Sequence, residues 1–303
     1  MAVEKRLPSH LVAILPSNTV EYLRPLTAGE RRGTARAFEQ LAEVQHTNDI
    51  YGVCMGNLDE FFEWAIDFVA RCATNEPPLQ GEANGLVTVS NRLLLNYLTT
   101  FRLYLEHVEG ALKRGSTEED AAAFAAVCAR EYDACFEYRL AYRLRNFAVH
   151  RGFPIHTTNL HLTKKTLSGP STVSMKVPGR EVGLFLALNR DYLLKDDCWR
   201  SMKKEISSLD DFIDVGPVIR RSANSLSRIH EFVFALLARE HQAVVRLLCS
   251  LEDEVKALRP GAQTAVGTHT KPTEEGITAH FSSFPQPLLT QLARACGPQA
   301  DRP

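Results

Sequence analysis

Apolar positions recur at helical spacing over most of this chain and change to alternation near its middle. Between residues 31 and 72, Leu41, Val44, Leu58, Phe61, Phe62, Ala65, Ile66 and Val69 keep steps of three and four, which predicts helix. Thr27 with Glu30 three residues on forms a capping box that places its start. Gly52 and Gly56 predict a division of this stretch into two helices. Residues 74–85, rich in Pro, Gly and Asn, predict a loop. A second long helix is expected over residues 87–114, with Leu93, Leu94, Tyr97, Leu98, Phe101, Leu105 and Val108 as its buried stripe. Gly115 ends it, and Ser116 with Glu119 opens a third helix that runs to His150. Gly152 and Pro154 stop that helix.

The period then changes. Residues 161–163, 172–177 and 182–188 alternate apolar and polar, and Pro178-Gly179 reads as a turn between two of these runs. Helical spacing resumes after Trp199, with Asp196 and Asp197 placed to cap the next helix. One long helix is expected over 217–258 and a last short one over 288–295. The fold class expected is mainly α, a helical bundle with a small antiparallel β-meander insertion. Its parts are an extended segment at 1–29, a helical bundle at 30–152 and the meander at 153–198. A long C-terminal helical region packing on the bundle comes next at 199–259, then a linker and tail at 260–303.

Composition narrows the function classes. The chain has 303 residues, 45% hydrophobic and 23% charged, ordinary for a globular protein. Lys and Arg total 35 against 36 Asp and Glu, which excludes a globally basic nucleic-acid binder and leaves room for a local basic patch. Seven scattered cysteines without a C-x-x-C pair argue against a disulfide framework and a zinc site. The apolar run from Leu11 to Leu15 is too short for a secretory segment, and no run is long enough to span a bilayer. A soluble, cytoplasmic protein without a membrane partner is expected. Nucleotide-binding glycine loops, the G-x-S-x-G elbow and the H-E-x-x-H motif are absent from the sequence. His156 and His161 stand five apart on a predicted strand, on opposite faces, so no metal site is expected there. No cofactor is expected.

The third predicted helix carries the candidate chemistry. Phe136, Leu140, Leu144 and Phe147 form its apolar stripe. Arg139, Arg143, Asn146 and His150 form a polar stripe beside it, and Arg145 and Arg151 add two more cations near the histidine. Imidazole takes or gives a proton near neutral pH, and a guanidinium fork matches phosphate oxygens. Together they suit phosphodiester chemistry. Asn146 lies one turn before His150 and could orient it. Arg139, Arg143, Arg151 and Tyr142 are the candidate RNA- or phosphate-binding residues. Arg139 and Arg143 also fit a solvated helix face, and Tyr138 and Tyr142 fit core packing.

Arg145-Asn146-Phe147-Ala148-Val149-His150 resembles the R-[polar]-x-x-x-H motif of the HEPN family, and Asn91-Arg-Leu-Leu-Leu-Asn96 is similar to helices in its bundles. HEPN proteins are all-α domains, many of them metal-independent endoribonucleases of toxin, defence and RNA-processing systems. The resemblance covers roughly residues 30–152. It implies that Arg145 and His150 are catalytic, with Asn146 as the polar accessory residue. It also implies RNA as substrate, a homodimer that joins two motifs in one cleft, and an antitoxin or regulatory protein as partner. Other Arg/His pairs at similar spacing, Arg102/His107, Arg143/His150 and Arg151/His156, lack the Asn after Arg. On an ideal helix Arg145 and His150 are about 140° apart, whereas Arg143 and His150 nearly align. Unwinding of the last turn would favour Arg145 as phosphate ligand, and an intact turn Arg143. The alternative function is a non-catalytic helical module that binds a nucleotide, RNA or protein.

Overall fold

A computed structural model describes residues 9–74, 80–163, 169–269 and 279–296. Strands β1 (Ser9–Ile14) and β2 (Val20–Pro25) lead into helices α1 (Ala28–Ala73), α2 (Gln80–Gly115), α3 (Glu118–Ala134) and α4 (Phe136–Arg151). Strands β3 (Ile155–Thr163), β4 (Val173–Val177) and β5 (Arg180–Asn189) come after them. Next are α5 (Arg190–Leu193), a 3₁₀ turn (Asp197–Met202), α6 (Lys203–Ser207) and β6 (Phe212–Asp214). The chain closes with α7 (Val215–Glu240), α8 (Gln242–Leu258), β7 (Gln263–His269), β8 (Ala279–Ser283) and α9 (Gln286–Ala295). The protein is mainly α. Among the described residues no helix is long and apolar enough to cross a membrane.

The helix starts and stops obey local chemistry, with some departures from the expected boundaries. At the start of α1 the Thr27 N–H donates to Glu30 Oε2 at 2.8 Å and the Glu30 N–H to Thr27 Oγ1 at 3.2 Å, a complete capping box. Helix α1 does not divide at Gly52 and Gly56. Both glycines face solvent while Cys54, Phe61 and Ala65 are fully buried, so core burial outweighs about 1 kcal/mol of helix propensity per glycine. Helix α2 starts at Gln80, inside the expected loop, and residues 75–79 of that loop lie outside the described residues. The cap of α3 is Thr117, not Ser116; its side chain accepts from the Asp120 N–H. The third expected helix is two, because Cys135 is extended (φ −122°, ψ 109°). The helix expected over 217–258 is also two, divided at His241 (φ −100°, ψ 15°).

The sheets exceed a small insertion. Strands form in the stretch whose composition reads as linker, and β1 pairs with β7 along the whole of β1, His10 opposite Gly267. A Cβ on Gly267 would come within 2.8 Å of Val12, so the close approach needs glycine. Pairing between the two chain ends is set by distant residues, which local composition does not report.

The chain divides into two compact units. One comprises residues 1–46 and 233–303. Its antiparallel sheet has the order β2-β1-β7-β8, and Leu11, Leu41, Leu248, Phe284 and Leu288 belong to its core. Arg24 donates to both Glu30 and Glu254 at 2.7–3.0 Å, and this guanidinium holds the Glu30 carboxyl down at about 2.

The other unit comprises residues 47–232. Tyr97, Phe101, Tyr104, Leu144 and Trp199 are nearly or fully buried in it. Its sheet has the order β3-β5-β4, with β6 also on β5. Val182 to Leu188 of β5 are buried without interruption, as expected of a strand covered on both faces. Val177 pairs with Arg180 across Pro178-Gly179, where Gly179 takes φ +82°.

Candidate active site at the end of the fourth helix

Helix α4 buries Tyr138, Leu140, Ala141, Leu144 and Phe147. That leaves Asn146 and His150 exposed and Arg145 half-buried. Gly152 ends the helix at φ +118°, a conformation open to glycine, and its N–H returns to Ala148 O at 3.3 Å. The helix stays intact through Arg151, so the last turn does not unwind. By helical spacing Arg145 and His150 remain about 140° apart within one chain.

The arginines and the tyrosine around this motif have distinct surroundings. Arg139 donates through Nη1 to Tyr132 O (2.7 Å) and Asp133 O (2.8 Å), carbonyls at the end of α3 that lack helical partners. Its Nη2 forks onto both oxygens of Glu205 at 2.9 Å. Arg143 donates to the Tyr132 hydroxyl at 3.0 Å and to Cys198 O at 2.8 Å. Arg151 pairs with Asp196. Asp196 also accepts from the Cys198 N–H at 2.8 Å, and that bond, with Arg151 beside it, holds its carboxyl below the usual range. Tyr142 lies under the Arg102 guanidinium, 4.0 Å from its ring centre, and edges Tyr132 at 5.9 Å. Tyr142 and Arg143 are therefore held by neighbouring side chains and backbone, as Arg139 is.

Arg145 differs. Its Nη1 reaches Asn146 Oδ1 at 3.4 Å, and its Nε is buried without a hydrogen-bond partner. A half-buried guanidinium beside an exposed amide can offer its terminal N–H donors to a phosphate or carboxylate oxygen. Arg143, which helical spacing aligns with His150, has its Nε and Nη1 already engaged.

Several residues that build this helix end were not singled out by the sequence. Asn91, fully buried on α2, accepts from the Ile155 N–H at 2.9 Å and donates to Ile155 O at 2.8 Å, so it fixes β3 just past α4. A polar residue three and seven positions before Leu94 and Leu98 is a signal for such a clamp. The Tyr192 hydroxyl donates to Arg151 O at 3.4 Å, and its ring meets Phe147 edge-on at 5.6 Å. The same ring lies 4.1 Å from that of His156. Asp196 caps the 3₁₀ turn, as its position before Trp199 predicts.

A cavity of about 270 Å³ lies between α2, α3 and α4, lined by Leu105, Phe124, Cys128 and Tyr138 among others. Burial pushes the Cys128 thiol up to about 12, which makes it a poor nucleophile. Arg145, Asn146 and His150 do not line this cavity. Among the described residues no three His, Cys, Asp or Glu side chains gather as a metal-binding group. Comparison with family models, with curated proteins and with solved structures returns no match to this chain.

Proposed function

We propose that this protein is a HEPN-like, metal-independent endoribonuclease of a toxin or defence system, acting on RNA in the cytoplasm. Residues 30–152 would hold its HEPN-like bundle. The observation that carries the reading is Arg145: it holds the motif's position, and among the arginines of α4 it alone has no described hydrogen bond beyond its neighbour Asn146. The adjacent Asn146 amide is exposed, and so is the His150 imidazole. In this reading Arg145 clamps the phosphate, Asn146 orients, and His150 moves protons as the 2′-hydroxyl attacks the adjacent phosphorus. The products are a 2′,3′-cyclic phosphate and a 5′-hydroxyl. The angle of about 140° between Arg145 and His150 favours a homodimer in which one protomer's Arg145 serves the other's His150.

The test is cleavage of RNA in EDTA by the wild type, Arg145→Ala and His150→Ala. Wild-type cleavage with at least ~100-fold loss in each variant is expected. Equal activity in all three refutes the mechanism. One observation favours a second reading, a non-catalytic helical module for nucleotide, RNA or protein. Arg139, Arg143 and Arg151 are engaged within the chain, which thins the basic surface. That reading predicts no cleavage.

A further inference from the structure

Transesterification of RNA needs two proton transfers, one from the attacking 2′-hydroxyl and one to the departing 5′-oxygen. The motif supplies one imidazole, and arginine does not titrate in the working range. In the homodimer the second proton carrier is either the other protomer's His150 or a side chain near the end of α4. Asp196 is occupied by Arg151 and the Cys198 N–H. The Tyr192 hydroxyl donates to Arg151 O. His156 has the required form. It stands just after Gly152, where the chain turns away from α4, and it is exposed. Its ring rests against Tyr192, which is itself tied to the last residue of α4. Its Nδ1 lies 2.9 Å from Pro154 O. A carbonyl oxygen only accepts, so Nδ1 carries the hydrogen and the lone pair of the neutral ring is on Nε2. A backbone carbonyl that fixes the tautomer in this way is how an imidazole is held ready as a base.

We propose that His156 is the general base of the RNA cleavage and His150 its general acid. The proposal rests on the endoribonuclease reading and divides its proton work between two side chains. His156 Nε2 takes the proton of the 2′-hydroxyl as the 2′-oxygen bonds to phosphorus. The bond from phosphorus to the 5′-oxygen breaks, and the His150 imidazolium gives that oxygen its proton. His156 leaves protonated and His150 neutral, and exchange with water resets both. The other protomer's Arg145 would hold the non-bridging oxygens between them.

The experiment compares the full-length wild type, His150→Ala, His156→Ala and His156→Asn on two substrates in EDTA. One is single-stranded RNA. The other is a uridine 3′-phosphate diester whose leaving group is 4-nitrophenolate, which departs without a proton. Both His156 variants are expected to lose on the order of 100-fold or more on both substrates. His150→Ala is expected to lose as much on RNA and to regain near wild-type rates on the nitrophenyl ester. His156 variants within threefold of wild type, while His150→Ala is inactive on RNA, overturn this inference and leave the endoribonuclease reading standing. Recovery of the His156 variants on the nitrophenyl ester overturns the assignment as base. A wild type without cleavage overturns both. Equal melting temperatures among the variants show that the exposed ring was not needed for folding.

Discussion

Acid sensitivity of the second unit should trace largely to His230. Its ring stacks on Tyr51 with centres 3.7 Å apart and planes within 2°, and its Nδ1 lies 2.9 Å from the Tyr104 hydroxyl. Burial disfavours the charged ring and lowers its pKa from the usual 6.5 to about 4. Each tenfold change in proton affinity is worth about 1.4 kcal/mol, so the shift amounts to at most about 3.5 kcal/mol. Because the folded value lies below the unfolded one, the native chain binds fewer protons between those values. The stabilising contribution is therefore complete above about pH 6.5 and is lost as pH falls toward 4. His230→Phe keeps a ring on Tyr51 and removes the titration. It leaves the Tyr104 hydroxyl short of one partner, at a cost of about 1 kcal/mol near pH 7.5. The variant should thus be the less stable protein at pH 7.5 and the more stable one at pH 4.5. Both tryptophans of the chain, Trp64 and Trp199, lie in this unit, so their fluorescence in urea titrations tracks its unfolding. Stability curves for wild type and variant that run parallel from pH 7.5 to 4.5 would refute the reasoning.

Three further substitutions probe other contacts. Thr27→Ala removes half of the capping box at α1 and should cost about 1 kcal/mol in urea unfolding of the first unit. Asn91→Leu places an apolar side chain in the core but leaves the Ile155 N–H and carbonyl without their buried partner. A loss of about 2–4 kcal/mol is expected, with faster amide exchange at Ile155. Arg228 forks onto Glu131, which is nearly buried, at 2.7–3.1 Å. Arg228→Ala should cost about 1–3 kcal/mol at pH 7 and less at pH 3. The loss shrinks in acid because Arg228 holds the Glu131 carboxyl below its usual range, and a protonated carboxyl needs no cation.

Much of the helical framework is legible in the sequence because it depends on short-range chemistry. The Thr27 box, the Gly152 stop and the Pro178-Gly179 turn each involve residues within a few positions of one another. The breaks at Cys135 and His241 are not legible. Neither residue is a helix breaker, and the apolar spacing continues across both, so the divisions answer to packing on either side. The sheet that joins β1 to β7 is hidden for a similar reason. Its partners are separated by most of the chain, and residues 260–286 are rich in turn formers. The long buried β5 reads in the sequence as a shorter alternating strand. Once both its faces are covered, alternation no longer marks its limits.

The candidate site shows a different limit. A sequence displays Arg139, Arg143, Arg145 and Arg151 as four equivalent charges around one histidine. A helix end surrounded by other helix ends does not keep them equivalent. Arg139 closes the carbonyl end of α3, Arg143 holds a carbonyl of the 3₁₀ turn, and Arg151 pairs with the aspartate that caps that turn. Each is bound to a group on another element, so each has a structural reason to be arginine. Arg145 has no such reason among the described contacts. Its bond to the adjacent Asn146 is long, at 3.4 Å, and ties it to no other element. The basic cluster thus resolves into three structural cations and one, Arg145, held only by its neighbour Asn146, at the position the sequence motif marks.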